Sequence, residues 1–265
     1  MPTTNKAVFN HHISSQFNEN LQDVNTQFMS MGGLVEQQVA NAIHALLETD
    51  AALALKVQYE DQIVNKMETQ IDEALTLILA RRHPAASDLR MVIAISKANT
   101  DLERIGDEAV KIARIAQTLC EEGESPRGYM ETRHIGNQVR VMIHEALDAF
   151  ARLDAEQALR VMQADADIDR EYQSATRTLM TYMMEDPRHI SRVINVLWIL
   201  RSLERVGDHA RNIAEQVIYM VNGLDVRHTS YEAIEKKIHG DNYAGNGNSA
   251  TDSNGTGSTA DGSNS

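Results

Sequence analysis

The hexapeptide Leu-Glu-Arg-x-Gly-Asp occurs twice in this chain, as Leu102-Glu103-Arg104-Ile105-Gly106-Asp107 and as Leu203-Glu204-Arg205-Val206-Gly207-Asp208. It belongs to a longer recurrence. Asp50 and Asp154, Leu55 and Leu159, and Val57 and Val161 stand 104 residues apart, whereas Glu103 and Glu204, and Asp107 and Asp208, stand 101 apart. Pro84 and Pro187 differ by 103, so the three-residue length change falls in the loops that these prolines mark. One unit is therefore present twice, and the two copies should share one fold.

That unit reads as three helices. From Phe17 to Leu47 the apolar residues Leu21, Val24, Phe28, Met31, Val35, Val39, Ile43 and Leu46 recur at every third or fourth position, as on one face of a helix. Thr49 or Asp50 can cap a second helix that runs through Val57, Val64 and Ile71 toward Arg82 and is broken at His83-Pro84. A third is expected from near Ser87 to about Leu119, followed by an inter-unit loop with Gly123, Pro126 and Gly128. The second copy repeats the plan. Its helices are expected over about Met130–Leu153, from the Asp154 cap to Asp186-Pro187, and over about Ile190–Val221, with Gly223 at a left-handed cap. Ile234 to His239 can add one short helical segment.

Only 5% of the residues are aromatic and four are proline, which suits helices better than strands. The expected fold is all-α, a tandem repeat of two three-helix bundles over residues 8–122 and 130–239. Residues 240–265 are expected to form a disordered low-complexity tail. From Ala244 onward only Ala, Gly, Asn, Ser, Thr and Asp occur, too little apolar surface to offset chain ordering.

The net charge of −13 opposes strong non-specific binding to nucleic acid and favours cations over anions as guests. Cys120 is the single cysteine, so neither an intramolecular disulfide nor a four-thiolate zinc site can form. The opening Met-Pro-Thr-Thr-Asn-Lys lacks the pattern of a secretory signal, and no apolar run approaches the roughly 20 residues of a membrane span. A cytoplasmic protein is expected, meeting a membrane only through its partners.

The duplicated hexapeptide poses a charge problem. Glu103 and Asp107, and likewise Glu204 and Asp208, are four apart and so adjacent on one helical face. Like charges so placed cost a helix about 0.2–0.5 kcal/mol and cost far more when buried without partners. Arginines can neutralise them: Arg104, Arg201, Arg205 and Arg211, with Lys111, all lie within a turn. The other solution is a cation held by carboxylates from facing helices. Gly106 and Gly207 favour close approach of a neighbouring helix, because a mid-helix glycine costs about 1 kcal/mol relative to alanine. The fifth helix offers Asp165 and Asp169, and the second offers Asp61 and Asn65 at the matching places. With an amide at Asn65, the first site should bind cations more weakly or differently.

Catalytic signatures are not evident. A carboxylate di-iron bundle needs two Glu-x-x-His motifs, and only Glu131-x-x-His134 occurs. No nucleophile elbow, phosphate-binding loop or His-Glu-x-x-His is found.

The repeated unit, with Asp101-Leu-Glu-Arg-Ile-Gly-Asp107 and Ser202-Leu-Glu-Arg-Val-Gly-Asp208, resembles the PhoU family of phosphate-signalling proteins. Met31-Gly-Gly-Leu-Val-Glu36, Ala86-Ser-Asp-Leu-Arg90 and Leu179-Met-Thr-Tyr-Met-Met-Glu-Asp-Pro187 resemble family segments in the same order, over roughly residues 8–239. The resemblance implies two adjacent three-helix bundles, a dimeric or similar assembly and metal at the Glu-x-x-x-Asp motifs, hence at Glu103, Asp107, Glu204 and Asp208. Asp61, Asn65, Asp165 and Asp169 are the accompanying candidates. The ions would be divalent or trivalent, with iron, zinc, manganese and magnesium all compatible. The resemblance also implies a non-catalytic negative regulator of phosphate uptake and of the phosphate-starvation (Pho) response. Its partners would be the ATPase subunit of the ATP-driven phosphate transporter and a sensor histidine kinase. Two other readings remain at this stage: a metal-dependent phosphohydrolase or oxidase using the same carboxylates, and a structural bundle whose carboxylates are held by arginine alone.

Overall fold

A computed structural model describes residues 5–81, 86–123, 129–227, 229 and 231–244. Among these residues seven α-helices form: α1 (Asn5–Leu47), α2 (Ala51–Arg81), α3 (Ala86–Glu122), α4 (Tyr129–Arg152), α5 (Ala155–Glu185), α6 (Ile190–Asn222) and α7 (Tyr231–Ala244). Helix α1 starts well before Phe17, and α7 runs on past His239. His83-Pro84, Pro126 and the stretch 245–265 lie outside the described residues.

The turns repeat as the helices do. Asp50 and Asp154 each cap the following helix, their carboxylates accepting the N–H of Leu53 and of Gln157 at 2.9 Å. Each is preceded by a residue in the left-handed region, Thr49 at φ 57° and Leu153 at φ 54°. The cap amides reach back to Ala45 and Ala149, again 104 apart, at 2.9 and 3.0 Å, closing the two preceding helices identically. Between α5 and α6, Asp186 ends one helix and caps a single 3-10 turn, Pro187–His189. Gly223, at φ 70°, closes α6.

Residues up to His228 form one compact unit, and α7 belongs to a separate one. Within the first unit the two repeats share a seam in which α1 packs on α4 and α3 on α6. A Cβ on Gly32 would stand 2.6 Å from the Leu147 side chain, and one on Gly136 would stand 2.9 Å from that of Ile43. Gly32 and Gly136, and Ile43 and Leu147, are each 104 apart, so the two contacts are one contact repeated about an internal two-fold. Phe28 and Phe150 pack beside it, ring centres 4.5 Å apart. Among the described residues no helix is long and apolar enough to cross a membrane.

Candidate carboxylate sites on the two repeats

Each candidate residue lies where two helices of one repeat run side by side: Asp61 and Asn65 on α2 facing Glu103 and Asp107 on α3, Asp165 and Asp169 on α5 facing Glu204 and Asp208 on α6. The signature glycines permit this. A Cβ on Gly207 would stand 3.5 Å from Asp165 Oδ1, and one on Gly106 would stand 3.4 Å from Asp61 Oδ1 and 3.3 Å from Gln38 Oε1. Small residues thus let a carboxylate of the neighbouring helix sit against the backbone beside each Glu/Asp pair.

In the second repeat the negative charges are close enough to oppose one another. Burial, and then the charge of Asp208, push the Asp165 carboxyl up to about 6. Glu204 and Asp208 are also raised, chiefly by burial, then by Asp208 in the first case and Asp169 in the second. Two arginines answer part of the charge. Arg201 binds Glu204 Oε1, and Arg211 reaches Asp165 at 3.3 Å and Glu215 at 3.3 Å. Glu204 Oε2 is buried and finds no hydrogen-bond partner among the described residues.

The first repeat is held differently. The Asn65 amide donates to Asp61 Oδ2 at 3.2 Å, and Gln38 from α1 donates to Asp61 Oδ1 at 3.3 Å. Arg104 stands 3.5 Å from Glu103 and 3.7 Å from Asp107. Glu103 is raised by burial and by Asp107. The acidic row also extends further than the sequence reading placed it, through Glu68 and Asp72 on α2. Glu68 is raised by burial and by Asp72, and the buried Asn99 of α3 donates to Asp72 at 3.1 Å. Their signal was available, since Glu68 and Asp72 continue the helical face begun by Asp61 at seven and eleven residues. The second repeat has Tyr172 and Thr176 at the matching places, and Arg201 stacks 6.0 Å from the Tyr172 ring.

Among the described residues no three His, Cys, Asp or Glu side chains are gathered as a ready metal cage. By donor chemistry and charge the rows suit a hard or borderline cation: all-oxygen donors, carboxyls raised by burial and then by one another's charge, and, among the described residues, an orphaned carboxylate oxygen. Asp165, Asp169, Glu204 and Asp208 would hold it in the second repeat, and Asp61, Glu103 and Asp107 in the first. When bound, such an ion supplies local positive charge on an otherwise anionic face. The chain's own arginines would have to swing aside, and Arg201 and Arg211 are both partly exposed.

The profile of the PhoU domain matches this chain twice, over residues 28–116 and 132–217. The chain belongs to the PhoU family. Both domain matches span a complete carboxylate row. A Pseudomonas putida protein called a phosphate-specific transport system accessory protein PhoU homolog is 61% identical over 236 residues, covering 89% of this chain and 92% of its own length. The Escherichia coli phosphate-specific transport system accessory protein PhoU is 46% identical over 87% of this chain and 95% of its own. The crystal structure of PhoU from Pseudomonas aeruginosa superposes with a TM-score of 0.77 at 63% identity, over 78% of this chain and 100% of that one. The structure of the phosphate transport system regulatory protein PhoU from Streptococcus pneumoniae does so at 0.73 with 29% identity, over 78% of this chain and 98% of that one. The all-α tandem fold expected from the sequence is thus the PhoU fold.

Proposed function

We propose that this chain is an accessory regulator of phosphate transport, restraining phosphate uptake and the phosphate-starvation response. It does so as an adaptor, carrying the state of the ATP-driven phosphate transporter's ATPase subunit to a sensor histidine kinase. The observation that carries this reading is likeness to phosphate-specific transport system accessory proteins along nearly their whole length, both carboxylate rows included. Cations bound on the rows organise each repeat's outer face and, by reversing its local charge, can recruit an anionic group. The test is deletion followed by a reporter of starvation-gene output in phosphate-rich medium. Loss of repression is expected, and unchanged repression overturns the regulatory role.

The arginine contacts favour a second reading, in which Arg104, Arg201 and Arg211 are the permanent partners and metal contributes nothing. Thermal unfolding separates the two. Manganese or zinc at saturating concentration raises Tm if the rows bind cations, because a ligand of the native state stabilises it by mass action. On the arginine reading Tm does not move.

A further inference from the structure

Helices α4 and α5 leave a groove on the second repeat. It consists of two hollows of about 350 and 220 Å³ that share His134 as a wall. The floor is apolar: Met142 and Ile168 are buried and Val141 is exposed. The rim is acidic, with Glu145 and Asp167 at one end and Glu131 and Glu171 at the other. Among the described residues no lysine or arginine lines either hollow.

The internal duplication serves as a control for what the fold itself needs. At the 104-residue spacing that relates the first two helices of each repeat, Glu131, Glu145, Asp167 and Glu171 correspond to Gln27, Asn41, Ile63 and Met67. The bundle forms in the first repeat with none of the four charges, so packing does not account for them in the second. Two of the acids have partners that a docked cation can replace. Asp167 is engaged by Arg170 of its own helix, an exposed pair of little energetic value. Glu171 accepts from the Gln138 amide at 2.9 Å and stands 3.1 Å from His134 Nε2. With its amide nitrogen committed to that carboxylate, Gln138 turns its oxygen inward, where it is buried without a donor. The groove therefore presents an apolar floor and a negative rim.

We propose that this groove docks a basic amphipathic helix of a partner protein. Apolar side chains at i, i+3/i+4 and i+7 lie on Val141, Met142 and Ile168, as in helix-in-groove recognition. Lysine or arginine stems cover the apolar shoulders while their charged ends meet the four rim carboxylates. From Glu131 to Glu145 the groove wall runs about 21 Å at 1.5 Å per residue, the length of about 14 residues of docked helix. Charge complementarity of this kind fixes partner choice and encounter rate more than raw affinity.

The test uses the full chain and a labelled synthetic 18-residue helix with leucines on one face and lysines on the other, read by fluorescence anisotropy. A matched peptide with glutamate in place of lysine is the comparison. The basic helix binds and the acidic one does not, and binding weakens at least tenfold in Glu131→Gln/Glu145→Gln/Asp167→Asn/Glu171→Gln. A chain neutralised instead at Glu19, Asp23, Glu73 and Glu121, four exposed acids of the first repeat, keeps its affinity within about twofold. Equal weakening in both variants identifies bulk attraction to an anionic protein and overturns the proposal. So does equal binding of the two peptides. If the groove variant, or Val141→Asp, lowers the mass of the free chain by sedimentation, the groove is covered by a second copy and the proposal is likewise overturned. Far-ultraviolet circular dichroism of each variant establishes that the helices are retained.

Discussion

The Asp165 carboxyl is raised by burial first and by the charge of Asp208 second. It lies near 6 in the folded chain, against about 3.9 when unfolded, so the native state takes up a proton before the unfolded state does. At pH 7 the charge therefore destabilises the metal-free fold. Stability from this group rises as pH falls through about 6 and levels off below about 4. Asp165→Asn should raise metal-free Tm at pH 7 and remove this acid-side gain, measured against the parent across pH 7 to 4.5. With cation bound the sign reverses, because the ion needs the ionised form and acidification expels it. A parent and an Asp165→Asn chain with the same pH dependence, with and without metal, would contradict this description of the site.

At the scale of the element, the duplicated turn is the clearest case of local chemistry deciding structure. Asp154→Ala removes the side-chain acceptor for Gln157 N–H and should cost about 1 kcal/mol in urea unfolding. Asp50→Ala should match it, since Leu53 N–H is held in the same way. The helices, these caps, the Asp186-Pro187 break and the Gly223 cap were legible in the sequence because each rests on contacts within a few residues. The carboxylate rows were legible where the signature repeats. Glu68, Asp72 and Asn99 stand outside the duplicated pattern, because Tyr172, Thr176 and Leu200 take their places in the second repeat, so recurrence does not mark them. The Gln38 contact to Asp61 could not be read at all, since which face of α1 meets α2 depends on three-helix packing.

At the scale of the whole molecule, the α3/α6 seam joins the two rows. Asp101, two residues before Glu103, accepts from Asn212 at 3.0 Å and pairs with His209, the neighbour of Asp208, at 2.9 Å. Glu108, the neighbour of Asp107, is buried and pairs with Arg205, the neighbour of Glu204, at 2.8 Å. Arg205→Ala removes one cation from buried Glu108, which keeps its pairing with Lys111, and should cost about 1–3 kcal/mol, the penalty for an under-satisfied buried polar group. Chemical denaturation measures it. If the loss is nil, the seam is held by apolar packing only.

Calorimetric titration of manganese into the metal-free full chain tests whether each repeat binds cations on its own row and whether the two rows are unlike. Two classes of site are expected. Glu204→Ala/Asp208→Ala should remove one class, and Glu103→Ala/Asp107→Ala the other. Isotherms unchanged from the parent in both variants would contradict cation binding on the rows.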